Sequence, residues 1–252
     1  MNWPPGYGCR LLDEVSSTLD EARRLAPRIS QPEWILARRQ TSARGRYGRS
    51  WFAPEGNFSA TLVMHPRGAM RIAALQSFVA AVALFDTVAE VIGSSDDLSL
   101  KWPNDILLND GKLAGILLES MGDSHKVTYL AIGIGVNLVD RPSSGQLVEA
   151  VTPPVSLLNE TGILIEPIRF LNYLAIAFDQ RERDMHEYGF SFIRDIWLSR
   201  AARLGEEIRV RTATTDKVGI FETVDSGGNL VLKTFDKRIV IPAADVFFEG
   251  EQ

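Results

Sequence analysis

The chain has 252 residues, 45% of them hydrophobic, enough for a full core in one large domain or in one medium domain with a small appendage. With 32 acidic and 27 basic residues the net charge is -5, which argues against a protein whose main business is coating nucleic acid or an anionic membrane. A lone cysteine, Cys9, excludes an internal disulfide framework and fits a reducing compartment; with no histidine near it in sequence it is read as incidental. The opening Met1-Asn2-Trp3-Pro4-Pro5-Gly6 lacks the basic and apolar regions of a signal peptide, and no apolar run is expected to reach membrane-spanning length, so a soluble, cytoplasmic protein is expected.

Taken in chain order, Val15 to Ala26 is predicted to be a helix starting through Ser16-Ser17-Thr18, with Thr18 and Glu21 at capping-box spacing and Pro27 closing it. Trp34 to Ala37 reads as a buried strand, and Phe58 to Met64 as another. Ile72, Leu75, Phe78, Val79, Val82, Phe85, Val88, Ala89 and Ile92 recur at helical spacing and predict a long helix that stops at Gly93. Leu98 to Lys101, Ile106 to Leu108 and Leu113 to Glu119 follow as strands, the last two joined by a hairpin for which Asp110-Gly111 is the turn signal. Val127 to Leu138 is a further strand containing Gly133 and Gly135, glycines of the kind that mark a close approach. Two helical stripes follow, one from Pro167 through Met185 and one formed by Phe192, Ile193, Ile196, Trp197 and Leu204. From about Gly205 short alternating strands predict a small β-barrel. The class is α+β, a mixed sheet backed by helices and followed by a barrel too small to be very stable alone.

Two segments carry chemistry. In the first, Gln40-Thr41-Ser42-Ala43-Arg44-Gly45-Arg46-Tyr47-Gly48-Arg49-Ser50-Trp51, three arginines at spacings of two and three alternate with glycines. Such a segment is a poor buried helix, but guanidinium forks and closely approaching backbone N–H groups together wrap an anion. From Arg38 to Arg49 there are five arginines and no acid, which predicts a local positive basin suited to a small polyanion such as a nucleoside triphosphate. A solvated, nucleic-acid-binding arginine-glycine tract is the alternative.

The second segment is Lys101-Trp102-Pro103-Asn104-Asp105 with Lys112-Leu113-Ala114-Gly115. Strict alternation puts Lys112, Ala114 and Ile116 on one strand face and Leu113, Gly115 and Leu117 on the other. Lys112 reads either as a site lysine or as a strand-edge lysine reaching solvent. Asn104-Asp105 after a proline is also ordinary turn chemistry. Ser17 and Thr18 are either ligand contacts or helix caps, and Asn137 is either a ligand contact or a strand terminator. His65, His125 and His186 are scattered without metal-ligand spacing, and no acidic cluster has the look of a magnesium cage, so no protein metal site is predicted.

Together the two segments resemble the two signatures of bacterial biotin protein ligases. The resemblance runs from about residue 13 to the carboxyl terminus and is strongest over residues 40–51 and 101–119. It implies a biotin/lipoate ligase-like catalytic domain over residues 1–203 and an SH3-like barrel over residues 204–252. The activity implied is formation of biotinyl-5'-AMP from biotin and ATP with Mg2+, then transfer of biotin to a lysine of a biotin carboxyl carrier protein domain. Ser17, Thr18 and Gln40 are implied to read the ureido ring; Arg44, Gly45 and Arg46 to follow biotin and the phosphate; and Arg49 to face triphosphate. Trp51, Lys101, Asn104, Gly115 and Asn137 complete the implied binding set, with Gly115 against biotin and Asn137 flanking the adenylate. Lys112, Arg46 and Asp105 are the implied catalytic residues. Asp105 either orients Lys112 or helps receive the incoming amine.

The chain departs from the family pattern at Ala43, where a glycine is usual, and at Leu19, where an asparagine is usual. Because the Ser17-Thr18 segment begins almost at once, the form expected is the one without an amino-terminal helix-turn-helix and without specific DNA binding; a homodimer stays open. A lipoate or octanoate ligase is the alternative within enzymes, and a non-catalytic adenylate- or RNA-binding module the alternative outside them.

Overall fold

The computed structural model describes residues 3–66, 70–122, 127–142, 152–212, 216–242 and 244–248. A seven-stranded sheet of order β1-β2-β3-β7-β6-β5-β4 forms its centre. Its strands are β1 (Gly8–Val15), β2 (Glu33–Gln40), β3 (Phe58–Met64), β4 (Leu98–Lys101), β5 (Asp105–Leu108), β6 (Gly111–Gly122) and β7 (Val127–Val136). β1 pairs parallel with β2, and every other neighbouring pair is antiparallel, so the sheet is mixed as expected. β1 escaped the sequence reading for a physical reason. As the edge strand it buries no residue, so it carries no alternating apolar signal.

The helices are α1 (Thr18–Leu25), α2 (Met70–Ile92), α3 (Leu157–Thr161), α4 (Pro167–Tyr188) and α5 (Phe190–Leu198). The alternation of β2 divides the core between the two sheet faces. Trp34 and Leu36 belong to the large cluster with α2, α4 and α5, while Ile35 packs with Leu19, Ala22 and Leu25 of α1. α2 is apolar all round because it is sandwiched. Its Ile72–Ile92 stretch is long and apolar enough to cross a membrane, contrary to expectation, but most of it is buried inside the protein. It stops at Gly93, whose φ of +80° suits only glycine well. In α5, Ile193 and Trp197 are buried as predicted, whereas Phe192 is exposed against Tyr188.

Helix α1 begins later than expected. Ser17, not Thr18, is its cap, accepting a hydrogen bond from the Leu19 amide at 3.2 Å, and Glu21 pairs with Arg24 instead of closing a capping box.

The β5–β6 hairpin also differs by one residue. Leu108 pairs with Gly111, so the turn residues are Asn109 and Asp110, at φ +50° and +60°, the left-handed pair of a type I′ turn. Gly111 is already in the strand, where a Cβ would lie 2.2 Å from Val155.

The predicted barrel is a five-stranded antiparallel sheet of order β11-β10-β9-β8-β12. Its strands are β8 (Glu207–Arg211), β9 (Asp216–Val224), β10 (Leu230–Lys233), β11 (Arg238–Ile241) and β12 (Asp245–Phe247), and no ladder closes β11 onto β12 among the described residues. Its inward face, including Ile208, Val210, Phe221 and Leu232, joins the same hydrophobic cluster as the large sheet. Trp102 strengthens the junction by donating from its indole to the Gly228 carbonyl at 3.1 Å. The turn that offers this carbonyl is held by Asp225. Burial pushes its carboxyl up, but hydrogen bonds from Asn229 and from the amides of Asn229 and Gly227 outweigh that and hold it below the usual range.

Candidate active site

On the α1 side of the large sheet lies a cavity of about 760 Å3, within the size range of small-molecule sites. Its walls come from the start of α1, the loop between β2 and β3, the β4–β5 hairpin, β6, β7 and β12. Ser17, Thr18, Gln40, Arg44, Gly45, Arg46, Arg49, Trp51, Lys101, Asn104, Asp105, Lys112, Gly115 and Asn137 all line it. Residues separated by up to 120 positions thus converge on one space.

A β-bulge decides how Lys112 enters it. Ile106 pairs with Ala114 while Leu107 pairs with Lys112, so Leu113 is an extra residue on β6. Leu113 and Ala114 are both buried in the core, and the alternation restarts with Lys112 beside Gly115. The face assignment from strict alternation is therefore overturned. Lys112 shares the pocket with Gly115 and Leu117 instead of lying with Ala114 and Ile116.

Lys112 Nζ sits 2.8 Å from Asp105 Oδ1, an ion contact without hydrogen-bond alignment, and 5.7 Å from the centre of the Trp51 ring. Asp105 opens β5, and its neighbour Asn104 ties the β4–β5 turn to β6. Asn104 donates from its side chain to the Ile116 carbonyl, and its own carbonyl accepts from the Ile116 amide at 2.9 Å.

Trp51 is half-buried, lying over β7 and β6. A Cβ on Gly135 would come within 2.5 Å of its Nε1, whereas a Cβ on Gly115 would meet it at 3.4 Å. Gly135 is thus the seat of the indole. Gly133 plays the same part for Leu19, whose side chain stands 3.1 Å from the position of a Cβ there.

The polar floor is built around Gln40. Its Oε1 accepts from the Thr18 amide at 2.7 Å and the Thr18 hydroxyl at 3.1 Å, which leaves the NH2 group as the donor available to a ligand. Buried Thr61 donates to Thr18 in turn, completing a chain that sequence reasoning missed. Ser17 both caps α1 and accepts from Arg44 at 3.4 Å. Asn137, a lining residue, donates to the Val155 carbonyl at 3.0 Å, while its Oδ1 is buried without a hydrogen-bond partner. An orphaned buried acceptor of this kind is costly unless a ligand supplies the donor. Lys101, 4% exposed, donates to Thr152 at 2.5 Å and stands 4.1 Å above the Phe248 ring of the C-terminal sheet.

The positive basin expected from residues 38–49 is largely compensated. Arg38 and Arg39 face Asp13 and Glu14 on β1, and Arg44 is held by Asp20 at 2.9 Å and Glu119 at 3.2 Å. The hydrogen bond to Asp20, with the Glu119 charge, raises the Arg44 guanidinium above its usual range even though desolvation opposes it. Arg49 pairs with Asp245 at 2.5 Å, and Arg46 donates to the Ala244 carbonyl and the Tyr47 hydroxyl. None of Asp20, Glu119 and Asp245 carried a local signal, because each meets its arginine only through the tertiary fold. Cys9, exposed on β1, lies away from the cavity; desolvation and the Glu33 charge push its thiol up, away from the reactive thiolate.

Comparison with known proteins bears on the family and the fold. Residues 9–137 match the biotin/lipoate A/B protein ligase family, and residues 204–249 match the biotin protein ligase C-terminal domain. A biotin--[acetyl-CoA-carboxylase] ligase of Paracoccus denitrificans is 50% identical over 240 residues, covering 95% of this chain and all of that protein. The bifunctional ligase/repressor BirA of Bacillus subtilis is 33% identical, with 93% of this chain and 72% of the relative covered. In fold, the Aquifex aeolicus biotin protein ligase in complex with biotin and ATP superposes with a TM-score of 0.79 at 24% identity, covering 95% of this chain and 97% of that one. The chain belongs to the biotin/lipoate A/B protein ligase family, on its biotin protein ligase side.

Proposed function

We propose that this chain activates biotin with ATP as biotinyl-5'-AMP and passes the biotinyl group to a lysine of a biotin carboxyl carrier domain of an acetyl-CoA carboxylase. In the first step a biotin carboxylate oxygen attacks the α-phosphorus, and the bond to the pyrophosphate oxygen breaks. In the second, the carrier's ε-amine attacks the carbonyl of the mixed anhydride, loses a proton, and AMP leaves. Both steps gather negative charge on oxygens near the α-phosphate, where fixed cations are most effective.

The observation that carries the reading is the bulge that turns Lys112 into the cavity beside Gly115, facing the arginine loop. Lys112 is assigned to the α-phosphate and biotin carboxylate, Arg46 to the same charges from the loop side, and Arg49 to the triphosphate. Asp105, 2.8 Å from Lys112, is assigned either to orienting that ammonium or to helping receive the incoming amine. Gln40, Thr18 and Ser17 offer alternating donors and acceptors suited to a ureido ring. Trp51, Lys101, Asn104 and Asn137 complete the walls.

Mg2+ belongs to this reading as the counter-ion of the leaving pyrophosphate. The reading assigns its donors chiefly to phosphate oxygens and water, as is usual for Mg2+ bound with a nucleotide. Sequence-specific DNA binding is not part of the reading, given the net charge of -5 and the carboxylates that face Arg38, Arg39, Arg44 and Arg49. The single cysteine fits work in a reducing compartment such as the cytoplasm.

Exchange of radiolabelled pyrophosphate into ATP, measured with biotin and lipoate in turn, tests the proposal. Biotin-dependent exchange is expected; exchange with lipoate alone assigns the chain to the other branch, and no exchange with either overturns an adenylating function.

A further inference from the structure

The tip of the arginine loop is fastened to the C-terminal sheet. Gly45 and Arg49 close it on themselves through the Gly45 amide and Arg49 carbonyl at 2.7 Å, with Tyr47 and Gly48 in the left-handed region at φ +57° and +72°. Tyr47 is exposed and lies beneath both guanidinium groups, 4.9 Å from Arg46 and 5.6 Å from Arg49. Among the described residues, the polar contacts that leave residues 46–49 for another element go to β12 and the residue just before it: Arg46 to the Ala244 carbonyl at 3.3 Å, and Arg49 to the Asp245 carboxylate at 2.5 Å. β12 is a firm anchor, because Asp245, Val246 and Phe247 pair with β8 and Val246 and Phe247 are buried.

We propose that Asp245 is a latch that occupies Arg49 until nucleotide arrives, so that the carboxylate and the triphosphate compete for one guanidinium. This inference rests on the ligase reading for the identity of the competing anion. A guanidinium presents the same fork to a carboxylate and to a phosphate, and it cannot serve both fully at once. Asp245 and Arg49 both line the cavity. Nucleotide binding therefore exchanges an internal anion for an external one and frees the loop tip from the C-terminal sheet. Asp245 is a positioning residue, acting through Arg49.

Asp245→Asn removes the charge and keeps the shape. The Arg49 side chain is half exposed, so the pair it forms is of the weak class, and its loss is expected to lower KM for ATP in pyrophosphate exchange roughly two- to fivefold with kcat within about twofold. In the nucleotide-free protein, tryptic cleavage within residues 44–49 is expected to quicken in Asp245→Asn, and saturating ATP with biotin is expected to abolish the difference. Asp245→Glu, which keeps the charge, is expected to restore the wild-type KM. An unchanged or raised KM in Asp245→Asn, or equal cleavage of the free proteins, overturns the latch. Failure of the ligase reading shows separately, as wild-type exchange that does not depend on biotin, while cleavage with and without ATP still reports on the loop.

Discussion

Lys112→Ala separates the proposed role of this lysine from that of a strand-edge residue. Two effects follow from its surroundings. The first is loss of the cation at the α-phosphate, worth about 2.7 to 4 kcal/mol of transition-state stabilisation, which lowers kcat roughly 100- to 1,000-fold. The second arises because Asp105, whose side chain is only 18% exposed, loses its 2.8 Å partner and turns an uncompensated charge toward the anionic ligand. At a separation of ~6 Å and an effective dielectric of ~20, that repulsion amounts to roughly 2 to 3 kcal/mol before solvent screening. It acts on bound substrate and transition state alike and so appears in KM for ATP. Biotin-dependent pyrophosphate exchange on Lys112→Ala and on Lys112→Ala with Asp105→Asn resolves the two: the double variant is expected to recover KM and not kcat. Both proteins are expected to melt within about 4 °C of wild type, since a partly exposed ion pair contributes at most about 1 kcal/mol. A kcat within threefold of wild type for Lys112→Ala, or recovery of turnover in the double variant, refutes the assignment.

Gly135→Ala drives a Cβ to within 2.5 Å of the Trp51 indole, so the indole must leave its seat; weaker ATP binding and altered tryptophan fluorescence are expected, with the far-UV circular dichroism unchanged. Chelation of Mg2+ by EDTA is expected to abolish pyrophosphate exchange while leaving the melting temperature in place, because the metal is assigned to the phosphates and not to the chain. Asp225→Ala removes a carboxylate whose folded-state pKa is depressed, so the stability it contributes is present above its ordinary unfolded value and is lost as the pH falls through the folded value. The variant is expected to be about 1 kcal/mol less stable than wild type at pH 7, roughly 2 to 4 °C in melting temperature, with the gap closing in acid; a gap that widens in acid contradicts the hydrogen-bonded turn.

Much of the fold was legible because its cause is local. The strand Phe58–Met64, the helix ending at Gly93, the Pro167 helix start and the strands after Gly205 all follow from apolar period and from the backbone restrictions of glycine and proline. The composition of the site was legible for a similar reason. Arginines interleaved with glycines, and a lysine opening an apolar strand, conflict with burial and so point to a ligand.

What stayed hidden depends on contacts distant in sequence. β1 is an edge strand with no buried residue, so nothing in its residues distinguishes it from a loop. The bulge at Leu113 is set by how β5 and β6 pair, and it puts Lys112 on the face of Gly115 and Leu117 instead of the face strict alternation gave it with Ala114 and Ile116. The compensation of Arg44 by Asp20 and Glu119, and of Arg49 by Asp245, likewise required the α1 segment, β6 and β12 to be brought together. The sequence by itself determined which chemical groups are present and the local elements that carry them. Only the tertiary structure decided which of those charges are already neutralised and which face the ligand, because charge pairing acts over a few ångströms in space and has no periodic trace along the chain.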